Sequence, residues 1–293
     1  MAVLALLAAA LALVAGCEQR SQDAPAADAP AATLTATAGY GATELLSTRV
    51  APDQSVMRAL RGATDVRTAY AGGFVDGMLD HDSDPGGPSD WFFFVDGLSS
   101  GVGAKDVTVA DGADVWWDYR DWGTLVSTPA VVGAWPAPLA PGDGRARTVA
   151  ADPPLAAPLA AAGATITRGD SPWRARVGAS EALAARDPAW RRALDDPDAA
   201  GLTATVRDGR IVALDPGGAG RSVVPGARAL VAAVPTGTDP TKGVLLVVAG
   251  LDAAAARAAA RTIAARPEVL ARRYALTFDA AGNPLRAGGR EGQ

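Results

Sequence analysis

The chain has 293 residues, of which 49% are hydrophobic and 20% charged, and its formal net charge is −5. This composition is that of a globular protein with room for two domains, and it excludes a chain that is disordered throughout. The acidic excess, with arginine and lysine scattered along the sequence, argues against a protein that binds nucleic acid through a basic face.

The N-terminal segment predicts export and a lipid anchor. Residues 1–16 are an apolar run that ends in Val-Ala-Gly and is followed by Cys17, the one cysteine of the chain. Such a run is too short to span a bilayer comfortably, and small residues before a cysteine are typical of a bacterial lipoprotein signal peptide. We therefore predict that residues 1–16 are removed and that lipidated Cys17 anchors the protein to the extracytoplasmic face of the cell membrane.

The next segment, residues 17–32, is rich in Ala, Asp, Pro, Ser and Gln. Because so few large apolar side chains cannot form a packed core, this composition predicts a flexible tether. No cysteine follows Cys17. The exported domains are therefore expected to rely on their hydrophobic cores instead of disulfides.

A hairpin and a helix are predicted at the start of the first domain. Thr33–Ala38 alternates Thr with apolar residues, and Glu44–Val50 follows a Gly-Tyr-Gly turn, which is typical of two paired strands. The helix that follows Pro52 places Val56 and Leu60 on one face. Residues 68–78, with a Gly-Gly pair inside, are predicted to be one strand with a bulge.

The stretch from Asp90 to Trp122 is strongly aromatic and predicts three strands, over residues 91–95, 107–109 and 115–119, separated by Asp-Gly turns. Because strand side chains alternate between faces, aromatic residues are expected on both faces of this sheet. One face then needs a helix as cover, and the other needs a second cover, a ligand or a partner. The helix is expected on the face of Val115, Trp117 and Tyr119.

These residues also carry a family resemblance. The motif consists of Trp91-x-Phe93-x-Val95-Asp96-Gly97, Val102-Gly103-Ala104, Asp111-Gly112 and Val115-x-Trp117-x-Tyr119. It is similar to the transcobalamin C-terminal-like β-grasp domain, a bacterial family of unknown function. The resemblance covers about residues 33–122 and implies that they form a β-grasp domain.

The resemblance also implies a ligand. In the transcobalamin and intrinsic-factor family, the similar domain closes over cobalamin that is held against a separate α/α-toroid domain. Cobalamin or another corrinoid is therefore the implied ligand. This chain has no repeated helical hairpins to make a toroid, so a toroid-type protein or a transporter subunit is the implied partner.

Candidate contact residues are aromatic and acidic side chains at strand ends or on the face away from the helix. A flat aromatic platform beside carboxylates suits a large planar ligand or a partner surface. For Trp91 the alternative is a place in the core. The candidates are Tyr70, Phe74, Trp91, Asp96, Trp116, Asp118 and Trp122.

The sequence contains little evidence of a metal-binding site or a catalytic site. Asp80–Gly86 places carboxylates at alternate positions as a calcium loop does, but Pro85 stands where the turn glycine belongs and Trp91 where a bidentate Glu is needed. A solvated acidic loop is the preferred interpretation. With His81 as the sole histidine and no G-x-S-x-G motif, we predict no cofactor, no metal and no enzymatic activity.

The C-terminal half predicts a second domain. Residues 123–145 are proline-rich and predict a connector with a short strand at 130–134, while residues 146–293 predict an α/β domain. Its clearest unit is a strand over 244–249, a helix capped by Asp252, and a strand over 274–278, which is a βαβ unit. The expected fold is thus an α+β, β-grasp-like N-terminal domain followed by an α/β C-terminal domain with a partly parallel sheet.

Two functions remain open from the sequence. The first is a lipid-anchored, non-enzymatic binding protein that presents a small ligand or a partner to a membrane complex. The second is a structural or adhesive surface module that acts as a rigid spacer. An open aromatic patch favours the binding protein, and complete cover of both sheet faces by the second domain favours the spacer.

Overall fold

The computed structural model describes residues 31–84, 86–215, 218 and 220–285. The predicted signal peptide, Cys17 and nearly all of the predicted tether lie outside these residues.

The chain up to Asp121 forms the first strands and the first helix. Their bounds are β1 Ala32–Ala38, β2 Thr43–Val50, α1 Val56–Ala63, β3 Val66–Ala69, β4 Phe74–Met78, β5 His81–Asp82, β6 Ser89–Val95, β7 Leu98–Ser99 and β8 Asp114–Asp121. A five-stranded sheet has the order β2-β1-β8-β6-β7. In it β1 and β8 are parallel, while the other neighbours are antiparallel.

Helix α1 covers one face of this sheet. It begins after Ser55, whose Oγ accepts a hydrogen bond from the Arg58 backbone N–H at 3.2 Å, as an N-cap serine does. Val56 and Leu60 are fully buried and share one apolar cluster with Trp117. The opening hairpin, the helix and the face that the helix covers were all predicted from the sequence, and the structure confirms them.

The single strand predicted over residues 68–78 is wrong. The chain instead turns back at Tyr70–Gly72 and forms the antiparallel hairpin β3–β4. Gly72 has a φ of 82°, which glycine adopts at little cost. A Gly-Gly pair is compatible with both a bulge and a tight turn, so the sequence pattern did not separate them.

The strand predicted over residues 107–109 is also wrong. These residues run beside the start of α1: the Val109 N–H donates to the Gln54 carbonyl at 2.8 Å and the Val56 N–H to the Val107 carbonyl at 2.9 Å. These hydrogen bonds hold the N-terminus of α1 in position. The strand that pairs with β6 here is instead the short β7.

The proline-rich connector joins the two sheets by its buried side chains. The strand predicted at 130–134 is wrong, because the connector pairs with the sheet only through an isolated bridge between Ala130 and Leu98. Val131 packs with aromatic residues of the five-stranded sheet, whereas Val132 and Leu139 belong to the main core of the second half. The connector therefore contributes to both cores.

The second half contains the remaining elements. Their bounds are β9 Thr148–Ala151, α2 Pro153–Ala161, β10 Thr165–Thr167, β11 Trp173–Ala179, α3 Ser180–Arg186, α4 Pro188–Asp195, β12 Ala204–Arg207, β13 Arg210–Leu214, β14 Arg221–Val223, β15 Ala229–Pro235, β16 Val244–Gly250, α5 Ala253–Ala265, β17 Leu276–Phe278 and β18 Pro284–Leu285.

Most of these strands form a seven-stranded sheet with the order β10-β9-β11-β16-β15-β17-β18. The pairs from β10 to β16 are parallel, and the pairs from β16 to β18 are antiparallel. Helices α2 and α5 pack on one face, while α3, α4 and the β12–β14 sheet pack on the other. The sheet is thus mixed and covered on both faces.

The predicted strand–helix–strand unit is present with one difference. Asp252 caps α5 by accepting hydrogen bonds from the Ala254 and Ala255 N–H groups at 3.0 and 2.9 Å. Strands β16 and β17 are parallel to each other, because both are antiparallel to β15. However, β15 lies between them, so they are not neighbours.

The two sheets meet at the β1–β2 turn. Arg272 donates from Nη1 to both carboxylate oxygens of Asp114, at 2.9 and 2.7 Å. Gly41 in the turn has a φ of 77°, and a Cβ at this position would lie 2.0 Å from the Arg272 carbonyl oxygen. Only glycine fits so close a backbone approach. We call this contact region the junction.

Replacement of Gly41 by alanine should therefore destabilise the protein more than replacement of Gly39. Both residues have positive φ angles, 77° and 69°, so both substitutions carry a similar backbone cost of about 1 kcal/mol. At Gly39 the nearest atom to an added Cβ is 3.7 Å away, so only Gly41→Ala adds a clash, expected to cost about 1–3 kcal/mol more. Urea unfolding of the two variants measures the difference, and equal losses would contradict this account of the junction.

Candidate functional site

The aromatic strands β6 and β8 present two different faces. Trp91 and Trp117 lie on the face that α1 covers, whereas Phe94 and Trp116 lie on the opposite face. The register pairs Phe94 with Trp116 and Phe92 with Asp118. We call the opposite face, which carries Phe92, Phe94, Trp116, Asp118 and Arg120, the junction face.

The second half of the chain covers the junction face. The Tyr274 ring lies 5.2 Å from the Trp116 ring, 5.5 Å from the Phe94 ring and 5.1 Å from the Tyr40 ring. Trp116 is 1% exposed and Tyr274 is 4% exposed. The cover that this face required is therefore supplied by the chain itself, and Trp116 does not face an open surface.

Asp118 is fully buried at the centre of this face and accepts hydrogen bonds from several groups. Thr37 Oγ1 donates to it at 2.6 Å and the Tyr274 hydroxyl at 2.9 Å. The Tyr40 and Gly41 backbone N–H groups donate at 3.1 Å each. A buried carboxylate is tolerated only when its oxygens are satisfied in this way. Asp118 is thus placed to hold the β1–β2 turn and Tyr274 together.

Burial sets the protonation behaviour of this network. It raises the pKa of the Asp118 carboxyl, although hydrogen bonds from Thr37 and Tyr274 oppose the rise. Burial also raises the pKa of the Tyr274 hydroxyl well above its ordinary value. At the edge of the junction, burial also raises the pKa of the Asp114 carboxyl, although the neighbouring Arg272 guanidinium lowers it.

Arg120 is a second charged group buried on the junction face. Its guanidinium lies 3.9 Å from the centre of the Phe92 ring and donates to the Leu125 carbonyl at 2.6 Å. Its side chain is 2% exposed. Stacking on an aromatic ring and bonding to carbonyls lower the cost of burying this charge, so Arg120 attaches the connector to the sheet.

The other predicted contact residues fall into two groups. Trp91 is 4% exposed and donates to the His81 carbonyl at 3.1 Å, so it is a core residue. Asp96 is half-buried and accepts from the Asp114 N–H at 3.0 Å, and Trp122 donates to Asp90 at 3.0 Å. Tyr70 and Phe74, in contrast, are exposed.

Tyr70 and Phe74 stand at the turn of the β3–β4 hairpin. Tyr70 is 87% exposed, and its ring meets the Phe74 ring edge to face at 6.3 Å. Val102 is also exposed and precedes Gly103, where an added Cβ would lie 3.5 Å from the Gly73 carbonyl oxygen. We call Tyr70 and Phe74 the aromatic tip.

The backbone of the aromatic tip is strained. Tyr70 and Ala71 have φ angles of 50° and 56°, in the left-handed region that disfavours residues other than glycine. Each such residue costs roughly 1–2 kcal/mol. Strain of this kind is concentrated at binding and catalytic sites.

A wide cleft of about 840 Å³ lies on the seven-stranded sheet and was not predicted from the sequence. Its cations are already paired: Arg174 with Asp187 at 2.9 Å, and Arg176 and Arg186 with Asp152 at 3.3 and 2.7 Å. Because each guanidinium faces a carboxylate, the cleft offers no net positive charge to an anion.

Metal ligands do not gather in the described part of the chain. Within residues 31–84, 86–215, 218 and 220–285, no three His, Cys, Asp or Glu side chains are arranged to hold a metal ion. Nδ1 of His81 lies 2.7 Å from the Leu79 carbonyl oxygen, and the His81 ring packs against Tyr119 at 5.0 Å. This histidine is therefore a packed residue of the sheet edge.

Comparison with known proteins identifies one domain-sized similarity. Residues 53–121 match the model of a family described as a domain of unknown function, DUF4430. The matched segment contains the motif residues from Trp91 to Tyr119 and both aromatic residues of the β3–β4 turn. No curated protein matches the chain.

Among solved structures, a proposed metal-binding protein of Ruminococcus gnavus is similar to part of the chain. It is 17% identical, with a TM-score of 0.27, and the alignment covers 32% of this chain and 98% of that one. In the residues described here, no helix is both long and apolar enough to cross a membrane.

The raised pKa of Asp118 predicts a pH-dependent stability. When folding raises the pKa of a carboxyl group, the charged form of that group destabilises the folded protein. The native protein should therefore lose stability relative to Asp118→Asn as the pH rises above about 3.9, the unfolded pKa of aspartate. Urea unfolding of both proteins between pH 4 and pH 8 measures this trend.

Thr37→Val is the informative control, because it retains the carboxyl but removes a hydrogen bond that favours its charged form. This variant should lose more stability in total than the native protein over the same pH range, because its Asp118 pKa is raised further. Parallel curves for the native protein and Asp118→Asn would show that Asp118 does not control the junction.

Proposed function

We propose that the chain is a lipid-anchored, extracytoplasmic binding protein without enzymatic activity, and that the aromatic tip is its contact point with a partner. The observation that carries this proposal is the 87% exposure of Tyr70 beside Phe74 on a left-handed turn. The junction face is covered by the chain itself, so the tip is the aromatic surface left for contact.

Because the Tyr70 side chain is 87% exposed, its burial offers little to offset the backbone strain at this turn. Tyr70 has few neighbours within the chain, yet its backbone and that of Ala71 are held in a costly conformation. A turn that served only to connect β3 and β4 would be relieved by glycine at these positions. Selection for contact with another molecule explains why a large aromatic side chain stands there.

The shape of the tip favours a protein partner. Small-molecule sites are concave and bury most of the ligand, whereas Tyr70 protrudes. A protruding tyrosine is suited to fill a pocket on another protein, where aromatic anchors supply much of the binding energy. A corrinoid, the ligand that the family resemblance implies, would accordingly bind between the tip and a partner chain such as a toroid-type protein or a transporter subunit.

The proposed β-grasp fold supports this arrangement. A hairpin, a helix crossing the sheet and the parallel pair β1–β8 are the features expected of that fold. The anchor is proposed at Cys17, at the extracytoplasmic face of the cell membrane. The fourteen Cα–Cα steps from Cys17 to Ala31 extend to at most about 50 Å, which lets the tip reach a membrane complex.

The alternative function, a structural or adhesive spacer, is favoured by one observation. Both faces of the five-stranded sheet are covered, one by α1 and one by the second half of the chain. The spacer requires no role for the tip. Substitutions at the tip therefore distinguish the two functions.

Substitution of Tyr70 by serine should abolish partner contact with little effect on stability, since Tyr70 is 87% exposed. In a separate variant, the contact is measured in cells by a photo-crosslinking amino acid at position 70, with and without Phe74→Ser. Because Phe74 is only 36% exposed, urea unfolding checks that the second change leaves the protein folded. We expect a discrete adduct from position 70 that is lost or strongly reduced with Phe74→Ser.

Val126 provides the matched control, because it is 64% exposed and lies in the connector. The same crosslinker at position 126 should not yield the adduct seen from position 70. Identical patterns from both positions would favour the spacer. Purified protein with cobalamin or cobinamide, alone and with a candidate toroid protein, tests the corrinoid; no retention in either case excludes it.

The anchor is tested separately. Intact-mass spectrometry of the protein from a bacterial membrane fraction should show removal of residues 1–16 and a diacylglyceryl group on Cys17, because a lipidated thiol is the expected product of this signal sequence. Cys17→Ala should retain the full N-terminus and no lipid. An unmodified thiol in the native protein would disprove the anchor without bearing on the tip.

A further inference from the structure

A cavity of about 100 Å³ lies at the junction, where three parts of the chain meet. The β1–β2 turn contributes Tyr40, the β12–β13 hairpin contributes Ala204 and Ala213, and the segment entering β17 contributes Tyr274. This cavity is separate from the aromatic tip and plays no part in the function proposed above.

Most polar groups of the lining already have partners inside the protein. The Tyr274 hydroxyl donates to Asp118 at 2.9 Å, and the Tyr40 hydroxyl donates to the Asp121 carbonyl at 2.5 Å. Thr277 donates to the Leu285 carbonyl at 3.3 Å. The tyrosines therefore present rings to the cavity, while their hydroxyls are directed into the junction network.

Small side chains keep the cavity open. Ala204 and Ala213 are directly paired across the β12–β13 hairpin and are both buried. Alanine is depleted in strands, where branched and aromatic residues normally fill the space over the sheet. Protein interiors contain few voids larger than a water molecule, and each void lowers stability. Two alanines at this pair thus leave room that larger residues would remove.

The size and lining define the class of ligand. An apolar cavity of about 150 Å³ stays dry and binds benzene or xenon, and a water molecule accounts for about 30 Å³ of liquid volume. The cavity here, of about 100 Å³, is closer in size to that benzene-binding cavity than to the 300–1,000 Å³ typical of pockets for drug-sized ligands. Asp215 and Arg273 line it with opposite charges, so the lining has no net charge that would select an ion.

We propose that this cavity binds one small, uncharged, largely apolar molecule of about six to eight non-hydrogen atoms, with an aromatic ring preferred. The Tyr40 and Tyr274 rings meet at 68° with their centres 5.1 Å apart, and aromatic ligands gain from edge-to-face contact with such rings. Because the lining belongs to both halves of the chain, the ligand stabilises the junction when it binds.

The experiment uses the purified full chain with benzene, indole and xenon as probes. Each bound probe should raise the midpoint of thermal unfolding in a concentration-dependent manner. It should also change the fluorescence of Trp116, whose ring lies 5.2 Å from Tyr274. A crystal held under xenon should show the atom between Tyr40 and Ala213.

Ala213→Leu should fill the cavity, remove the response to every probe and leave the unfolding midpoint unchanged or higher. Ala204→Val is the milder second variant if the leucine does not fit. Ala254→Leu, at an exposed position of α5, adds the same atoms away from the cavity and should keep the response. Ordered water alone in the cavity, or a response that persists in both filling variants, would overturn the proposal.

Discussion

The structure depends on one buried carboxylate that accepts hydrogen bonds from both halves of the chain. Asp118 has no exposure to water, so its hydrogen bonds with Thr37, Tyr40, Gly41 and Tyr274 must replace those that water would make. Leaving such a group unsatisfied costs more than the hydrogen bonds themselves contribute. The need to satisfy Asp118 therefore holds the β1–β2 turn against Tyr274. The aromatic rings around this turn and Tyr274 then exclude water from the carboxylate.

This junction decides which aromatic residues are available for contact. Trp116 lies beneath Tyr274, and its indole N–H donates to Thr37, which in turn donates to Asp118. A ligand that used this face would have to displace the second half of the chain and expose the carboxylate network. The aromatic tip can be contacted without displacing any part of the chain, because Tyr70 is 87% exposed.

Local pattern and turn chemistry were sufficient to predict much of the fold. The hairpin β1–β2, helix α1 with its buried Leu60, and the strands that carry Trp91 and Trp117 follow from periodicity and capping. The β3–β4 turn and the segment over residues 107–109 did not, since glycine pairs and short apolar runs fit several structures. Tyr70 and Phe74 were among the predicted contact residues, but Arg120 and Tyr274 were missed, because their roles depend on contacts between distant segments.

The choice between a binding protein and a spacer therefore depends on the tip and not on the sheet. Because both faces of the five-stranded sheet are covered by the chain, the sheet is stable without a ligand. Both candidate functions require such a stable sheet. A spacer has no use for an 87% exposed tyrosine on a left-handed turn, because glycine would form the same turn at lower cost. The retained aromatic side chain is more simply explained by a pocket on a partner that receives it.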